Sequence, residues 1–239
     1  MILFASDLDN TLIHSYKAAK PGDICVEIKD GKELSFMPPE AFMLLKEVAG
    51  KSEFVPVTTR SLEQYRRIDL GIMPRYAIVA HGALLLKHGA EDGDWRAETL
   101  NNLNIQLPAI EQNEYLYDVR YVDNFFIFAK SDAPERAAER LGRFVDKTDF
   151  EVRAVHNKVY ILPRNLNKGA ALQRLKKRIG ADYVICAGDS DLDLPMLALA
   201  DMAISPENVE LNNHLWLGKP DLNYGTKLLL SVQARLNYL

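Results

Sequence analysis

The chain has 239 residues, 48% of them hydrophobic and 26% charged, with a net charge of -4 at pH 7. That length accommodates one large domain, or a medium core with a smaller insert, and the composition suffices to bury a sizeable core. The acidic balance, with a pI near 5.8, argues against general binding to nucleic acid or to a membrane surface. The longest apolar stretches are of strand length, too short to span a bilayer as a helix. Met1 runs into the first strand with no basic region or cleavage site. Cys25 and Cys186 are far apart, and Cys186 sits in an apolar run where it reads as a small hydrophobe. A cytoplasmic protein is the expectation.

In chain order, Ile2-Leu3-Phe4-Ala5 reads as a buried parallel strand that stops at two carboxylates, Asp7 and Asp9. Residues 25–28 and 33–36 flank Lys29-Asp30-Gly31-Lys32 and predict a hairpin with an Asp-Gly turn. Pro38-Pro39 opens a helix through about Val48, closed by Gly50, with Phe42, Leu44 and Leu45 on its apolar face. Phe54-Val55-Pro56-Val57 is a second buried strand, and Ser61-Leu62-Glu63-Gln64 has the pattern of a capping box for the next helix. Residues 76–80 read as a further parallel strand.

After about Leu86 the pattern changes. Residues 115–121 and 125–129 read as adjacent strands around Asp123-Asn124, and 134–145 as an amphipathic helix with Ala137, Leu141 and Val145 inward. Residues 151–155 and 159–162 form another strand pair around His156-Asn157. Alternation resumes with a helix from Asn167 to Ile179, capped by Gly180. A strand at 183–187, a short helix with Asp191 as N-cap, a strand near 202–204 and a last helix from about Thr226 complete the chain. The reading is an α/β fold: a doubly wound, mostly parallel three-layer core from residues 1–85 and 159–239, interrupted by an α+β insert at 86–158.

Chemistry gathers at element boundaries. Asp7-Leu8-Asp9-Asn10-Thr11 ends the first strand, Thr58-Thr59-Arg60 the second, and Gly188-Asp189-Ser190-Asp191-Leu192-Asp193 a third. Asn167-Lys168-Gly169 opens the helix between them. Open α/β sheets place ligands at the carboxyl edges of their strands. Two aspartates one residue apart repel each other there unless positive charge lies between them.

The order carboxylate pair, hydroxyl, lysine and second acidic cluster resembles the haloacid dehalogenase superfamily of phosphotransferases. All four of its motifs have a match: Asp-x-Asp-x-Thr, a Thr or Ser after a strand, a Lys, and Gly-Asp-x-x-x-Asp. The insertion point and Ile161-Leu162-Pro163 before the lysine resemble the branch with a type-two cap, Cof-type and similar to sucrose-phosphate phosphatase. Two positions depart from that branch: Thr59 stands where it has Gly in Thr-Gly-Arg, and Leu192 where it has Asn.

The resemblance implies a nucleophile at Asp7 and a general acid and base at Asp9. A halide leaves unprotonated, so the second carboxylate favours phosphoryl transfer over dehalogenation. All-oxygen ligation suits Mg²⁺, assigned by the resemblance to Asp7, Asp189 and the backbone carbonyl of Asp9, with Asp193 in the outer shell or on Lys168. Thr58 and Lys168 would bind the phosphoryl group, and backbone N–H groups of Leu8, Asp9 and Asn10 could add an anion nest. Arg60, His81, Arg120, Arg153, His156 and Lys158 are candidates for substrate contact from hinge or cap. The expected partner is a small phosphorylated metabolite, a sugar phosphate, because a closing cap must enclose it. A phosphomutase of the same architecture and a catalytically idle ligand-binding protein are the alternatives.

Overall fold

The computed structural model describes residues 1–103, 105–206, 211, 214–218 and 224–239. The chain begins with β1 (Ile2–Ser6), β2 (His14–Ser15), β3 (Ile24–Lys29), β4 (Lys32–Met37), α1 (Pro39–Lys51), β5 (Glu53–Pro56) and α2 (Leu62–Tyr65). It continues through β6 (Tyr76–Val79), β7 (Leu84–Lys87), β8 (Ala90–Glu91), α3 (Gly93–Leu103), β9 (Tyr117–Val122) and β10 (Phe126–Lys130). Then come α4 (Pro134–Leu141), β11 (Phe150–Val155), β12 (Lys158–Pro163), α5 (Lys168–Ile179) and β13 (Tyr183–Ala187). The last elements are α6 (Leu194–Leu197), β14 (Met202–Ser205), β15 (His214–Trp216) and α7 (Tyr224–Leu236).

Two compact units result, Met1–Asp92 with Lys168–Leu239, and Gly93–Asn167. The first is built on a parallel sheet in the order β15-β14-β13-β1-β5. β1 is flanked by β13 and β5, and Leu3, Phe4 and Ala5 are fully buried, as a strand covered on both faces requires. Helices α1 and α7 bury Leu44, Leu45, Val48, Leu228, Leu229 and Val232 in one apolar cluster with Phe4 and Phe54. The hairpin β3–β4 turns through Asp30 and Gly31, both with positive φ (51° and 74°), the two-residue geometry an Asp-Gly pair favours.

The second unit carries an antiparallel sheet in the order β11-β12-β10-β9. β9 and β10 are joined through Asp123 and Asn124, again with both φ positive (46° and 61°). Ala137 of α4 packs on Ala129 and Val159, and Ile127 and Ile161 pack with Val145 and Phe150.

Several elements differ from the sequence expectation, each for a physical reason. The unit boundaries fall at Asp92/Gly93 and Asn167/Lys168 rather than at 85/86 and 158/159. β7 pairs with β6 and so stays with the first unit, while β12 is an inner strand of the second sheet. Residues 76–79 pair antiparallel with β7, and an isolated bridge, Val57 to Ile78, joins them in parallel to the segment after β5. The reversal is made at Ala80, His81 and Gly82, whose φ values of 50°, 59° and 108° fold the chain back at once. Gly50 lies inside α1, which runs on to Lys51 and ends at Ser52, whose hydroxyl donates to the Val48 carbonyl. Helix α4 stops at Leu141, with Gly142 as its C-cap. The cap of the short helical turn 191–193 is Ser190, in a reciprocal capping box with Asp193, and Asp191 is its exposed first residue.

Candidate active site

The carboxyl ends of three adjacent strands carry the chemistry. Asp7 follows β1, and its N–H donates to the Ala187 carbonyl at 2.9 Å, which fixes it against the end of β13. Lys168, the first residue of α5, is 1% exposed, and its Nζ donates to Asp7 Oδ1 and to Asp193 Oδ1, each at 2.5 Å. The other oxygen of Asp193 accepts the N–H groups of Asp189 (3.2 Å) and Ser190 (3.0 Å) and the Ser190 hydroxyl (2.9 Å). Asp193 therefore anchors both the lysine and the loop carrying Asp189. Glycines make the approach possible: a Cβ at Gly188 would run into the Asp193 side chain, and one at Gly169 into the Pro195 backbone.

Thr11 Oγ1 lies 3.4 Å from both Asp7 Oδ2 and Asp189 Oδ1. These two carboxylate oxygens face one region, and Thr11, the last letter of Asp-x-Asp-x-Thr, touches both and joins the candidate residues of the site.

Positive charge is scarce in this centre. Burial pushes Asp7 well above the usual carboxylate range, Lys168 opposes it, and Asp193, Asp189 and Asp9 push further. Asp189 is pushed up to about 6 by burial and then by Asp193, against Lys168. Burial would tend to discharge Lys168, but Asp193 and Asp7 outweigh it and hold the ammonium more firmly charged than an ordinary lysine. Asp7, Asp189 and Asp193 each offer an oxygen, all within 4.8 Å of one another. A hard divalent cation suits this donor set, because it would meet Asp7 Oδ2 and Asp189 Oδ1 and supply the missing charge. With Asp193 already hydrogen-bonded at both oxygens, the residues fit Mg²⁺ with Asp7 and Asp189 as the carboxylate ligands.

Asp9 is oriented differently. The Arg60 Nε and Nη2 donate to its two oxygens at 2.8 and 2.7 Å in a bidentate fork. The Asp9 side chain is 37% exposed, whereas Asp7 is buried. Asn10 has φ 60°, and its N–H donates to the Ile13 carbonyl at 2.8 Å. That bond removes the Asn10 backbone from the anion nest assigned to it above. Thr58 is fully buried; its Oγ1 accepts the Arg60 N–H at 3.1 Å and keeps a proton to donate.

Residues 54–210, more than half the chain, match the family described as haloacid dehalogenase-like hydrolase. The chain belongs to that family. The sucrose-phosphatase of Synechocystis, solved with sucrose and phosphate, has a TM-score of 0.62 at 16% identity, covering 97% of this chain and 98% of that one. A haloacid dehalogenase-like hydrolase from B. subtilis has a TM-score of 0.57 at 18% identity, over 86% and 89% of the two chains. A Mycoplasma pneumoniae protein provisionally named a phosphatase is 25% identical over 120 residues, 48% of this chain and only 37% of that protein.

The remaining candidates of this haloacid dehalogenase-like chain are placed as follows. Arg60 is held on Asp9 rather than presented to solvent, its side chain 12% exposed. His81 is 1% exposed; burial and then Lys168 lower its pKa to about 3, so it is neutral. Leu192 is buried at 6% exposure, filling with hydrocarbon the position where the branch has an amide. In the second unit the strand registers align Arg120, Phe128, Tyr160 and Arg153 in one row across all four strands. Lys158 pairs with Lys130 in the next row of the same face, two residues on. The opposite face holds Ile127, Ala129, Val159 and Ile161 against α4 and its neighbours. Arg120 forks onto Asp118 and Arg153 onto Glu151, so both cations already have a carboxylate. His156 sits in the β11–β12 turn with φ 54°.

Proposed function

We propose that this protein is a Mg²⁺-dependent phosphatase that hydrolyses a small phosphorylated metabolite, a sugar phosphate, through an aspartyl-phosphate intermediate. The observation that carries the reading is the Asp7 carboxylate, fixed at a strand end with one oxygen on Lys168 and the other turned toward Asp189. That arrangement suits a nucleophile and its counter-charges. When bound, Mg²⁺ would neutralise phosphoryl charge and hold Asp7 and Asp189 ionised.

Asp7 attacks phosphorus, the bond from phosphorus to the leaving oxygen breaks, and Asp9 gives its proton to that oxygen. Lys168 and the Thr58 hydroxyl stabilise the phosphoryl oxygens through the transition state. A water then attacks phosphorus, Asp9 takes its proton, and the bond to Asp7 breaks, releasing phosphate and restoring the Asp7 carboxylate and the protonated Asp9. The fold shared with a sucrose-phosphatase supports a sugar phosphate as substrate. In the second unit, the half-buried Phe128 offers a ring for a sugar face, and Arg120 and Arg153 in the same row offer donors for its hydroxyls. A cytoplasmic setting goes with this reading, both cysteines being free thiols. Phosphate release from a panel of sugar and polyol phosphates with Mg²⁺ tests it: one or a few members should be hydrolysed well. Isomer formed without released phosphate would contradict it.

A further inference from the structure

A second buried charge network stands beside Asp9. Glu27, 3% exposed, comes from β3 at a position where the hairpin register shifts on both sides. Its carboxylate accepts from the Ser35 hydroxyl (2.6 Å), Arg60 Nη1 (2.9 Å) and Arg67 Nε (3.2 Å). The Arg60 guanidinium thus has its Nε and Nη2 on Asp9, its Nη1 on Glu27, and a further Nη2 contact to Ser35 at 3.2 Å. Backbone ties hold the parts together: the Asp69 N–H donates to the Val26 carbonyl at 2.8 Å, and Glu27 bridges to Ile68.

Burying such a cluster costs desolvation that apolar side chains would avoid, so stability alone does not account for it. Among the described residues it reaches outward in two directions, through Arg67 to the exposed Glu63 and through the bidentate Arg60 fork to Asp9, and only the second leads to a carboxylate of the site. We infer that Glu27 and Arg60 form a positioning unit for Asp9, in which Glu27 fixes the guanidinium plane and that plane fixes the Asp9 carboxyl over the site. The inference rests on the reading of Asp9 as the acid and base. It assigns the hairpin after the first motif a part in proton transfer, and it moves Arg60 from substrate recognition to orientation.

The test compares wild type with Asp9→Asn, Glu27→Gln and Arg60→Ala on an alkyl phosphate and on p-nitrophenyl phosphate. A displaced acid harms the substrate with the poor leaving group and largely spares the other. Glu27→Gln should lower kcat on the alkyl phosphate about 10- to 100-fold, the scale of a misplacement of about 1 Å, with KM little changed. Arg60→Ala should lose at least as much and regain kcat on that substrate when guanidinium is added, but not when methylammonium is. Should Glu27→Gln fail to fold, the rescue of Arg60→Ala decides. Equal losses on both substrates, or no rescue, overturn the positioning unit while Asp9→Asn still discriminates. If Asp9→Asn itself spares the alkyl phosphate, the acid assignment fails and the positioning unit with it.

Discussion

Lys168 donates to one oxygen of Asp7 at 2.5 Å, so half of that carboxylate is tied to the protein's own cation. The same ammonium holds Asp193 at 2.5 Å, and all three groups are buried. Removing the lysine leaves two interior carboxylates facing each other.

Lys168→Met should therefore cost both stability and activity. Breaking a buried ion pair from one side typically costs about 3–5 kcal/mol, measurable as a lower urea midpoint. Adding Asp193→Asn to that variant removes one of the stranded charges and should recover part of the stability but no activity. A Lys168→Met protein as stable as wild type would show that the triad is not charge-coupled.

His81 gives the protein an acid sensitivity of definite sign. Its folded value is about 3 and its ordinary value 6.5. Below 6.5 the unfolded chain takes up a proton that the folded protein refuses, so the stability gained by keeping His81 neutral is complete above 6.5 and lost progressively toward 3. His81→Asn, which tolerates the φ of 59°, removes this term. Stability measured at about pH 7 and about pH 5 should differ by about 1–2 kcal/mol less in the variant than in wild type. An unchanged difference would show that His81 is not the group responsible.

Much of this arrangement is legible in the sequence, because charged residues that end apolar runs can be located one run at a time. Asp7 and Asp189 announce themselves in this way, the Thr58 hydroxyl likewise ends an apolar run, Lys168 opens a helical pattern, and Asp30-Gly31 declares its turn. The direction of a buried strand does not: residues 76–79 are apolar throughout, which reports burial on both faces but not the antiparallel partner that Ala80 to Gly82 create. Nor does the Glu27–Arg60–Asp9 network have a local signature. Its members lie 33 and 51 residues apart, and a lone Glu in a predicted hairpin reads as a solvated charge. The bounds of the second unit are not legible at either end, since pairing of β7 with β6 and of β12 with β10 is decided by registers that no periodicity reveals.

Activity should vanish in EDTA and return with Mg²⁺, while Ca²⁺ restores little. Mg²⁺ keeps tight octahedral geometry, whereas Ca²⁺ takes more ligands at longer distance and would draw both oxygens of Asp7 to itself. Full activity in chelator would remove the metal from the account.

Substrate choice should reside in the row of the second sheet. Arg120→Ala or Arg153→Ala should lower kcat/KM for the best substrate about 10- to 200-fold, the worth of one specificity contact. Hydrolysis of p-nitrophenyl phosphate should barely change. Wild-type ratios across a substrate panel in both variants would take recognition away from that face.

The central claim is that Asp7 carries the phosphoryl group, and chemical trapping reads it directly. Borohydride reduces an acyl phosphate to the alcohol. Quenching the enzyme into borohydride during turnover with Mg²⁺ and substrate should convert Asp7 into homoserine, located by peptide mass spectrometry. Asp9 and Asp189 should stay intact, and Asp7 should too when substrate is withheld. Homoserine at another aspartate, or none at all from an enzyme in full turnover, would contradict the mechanism.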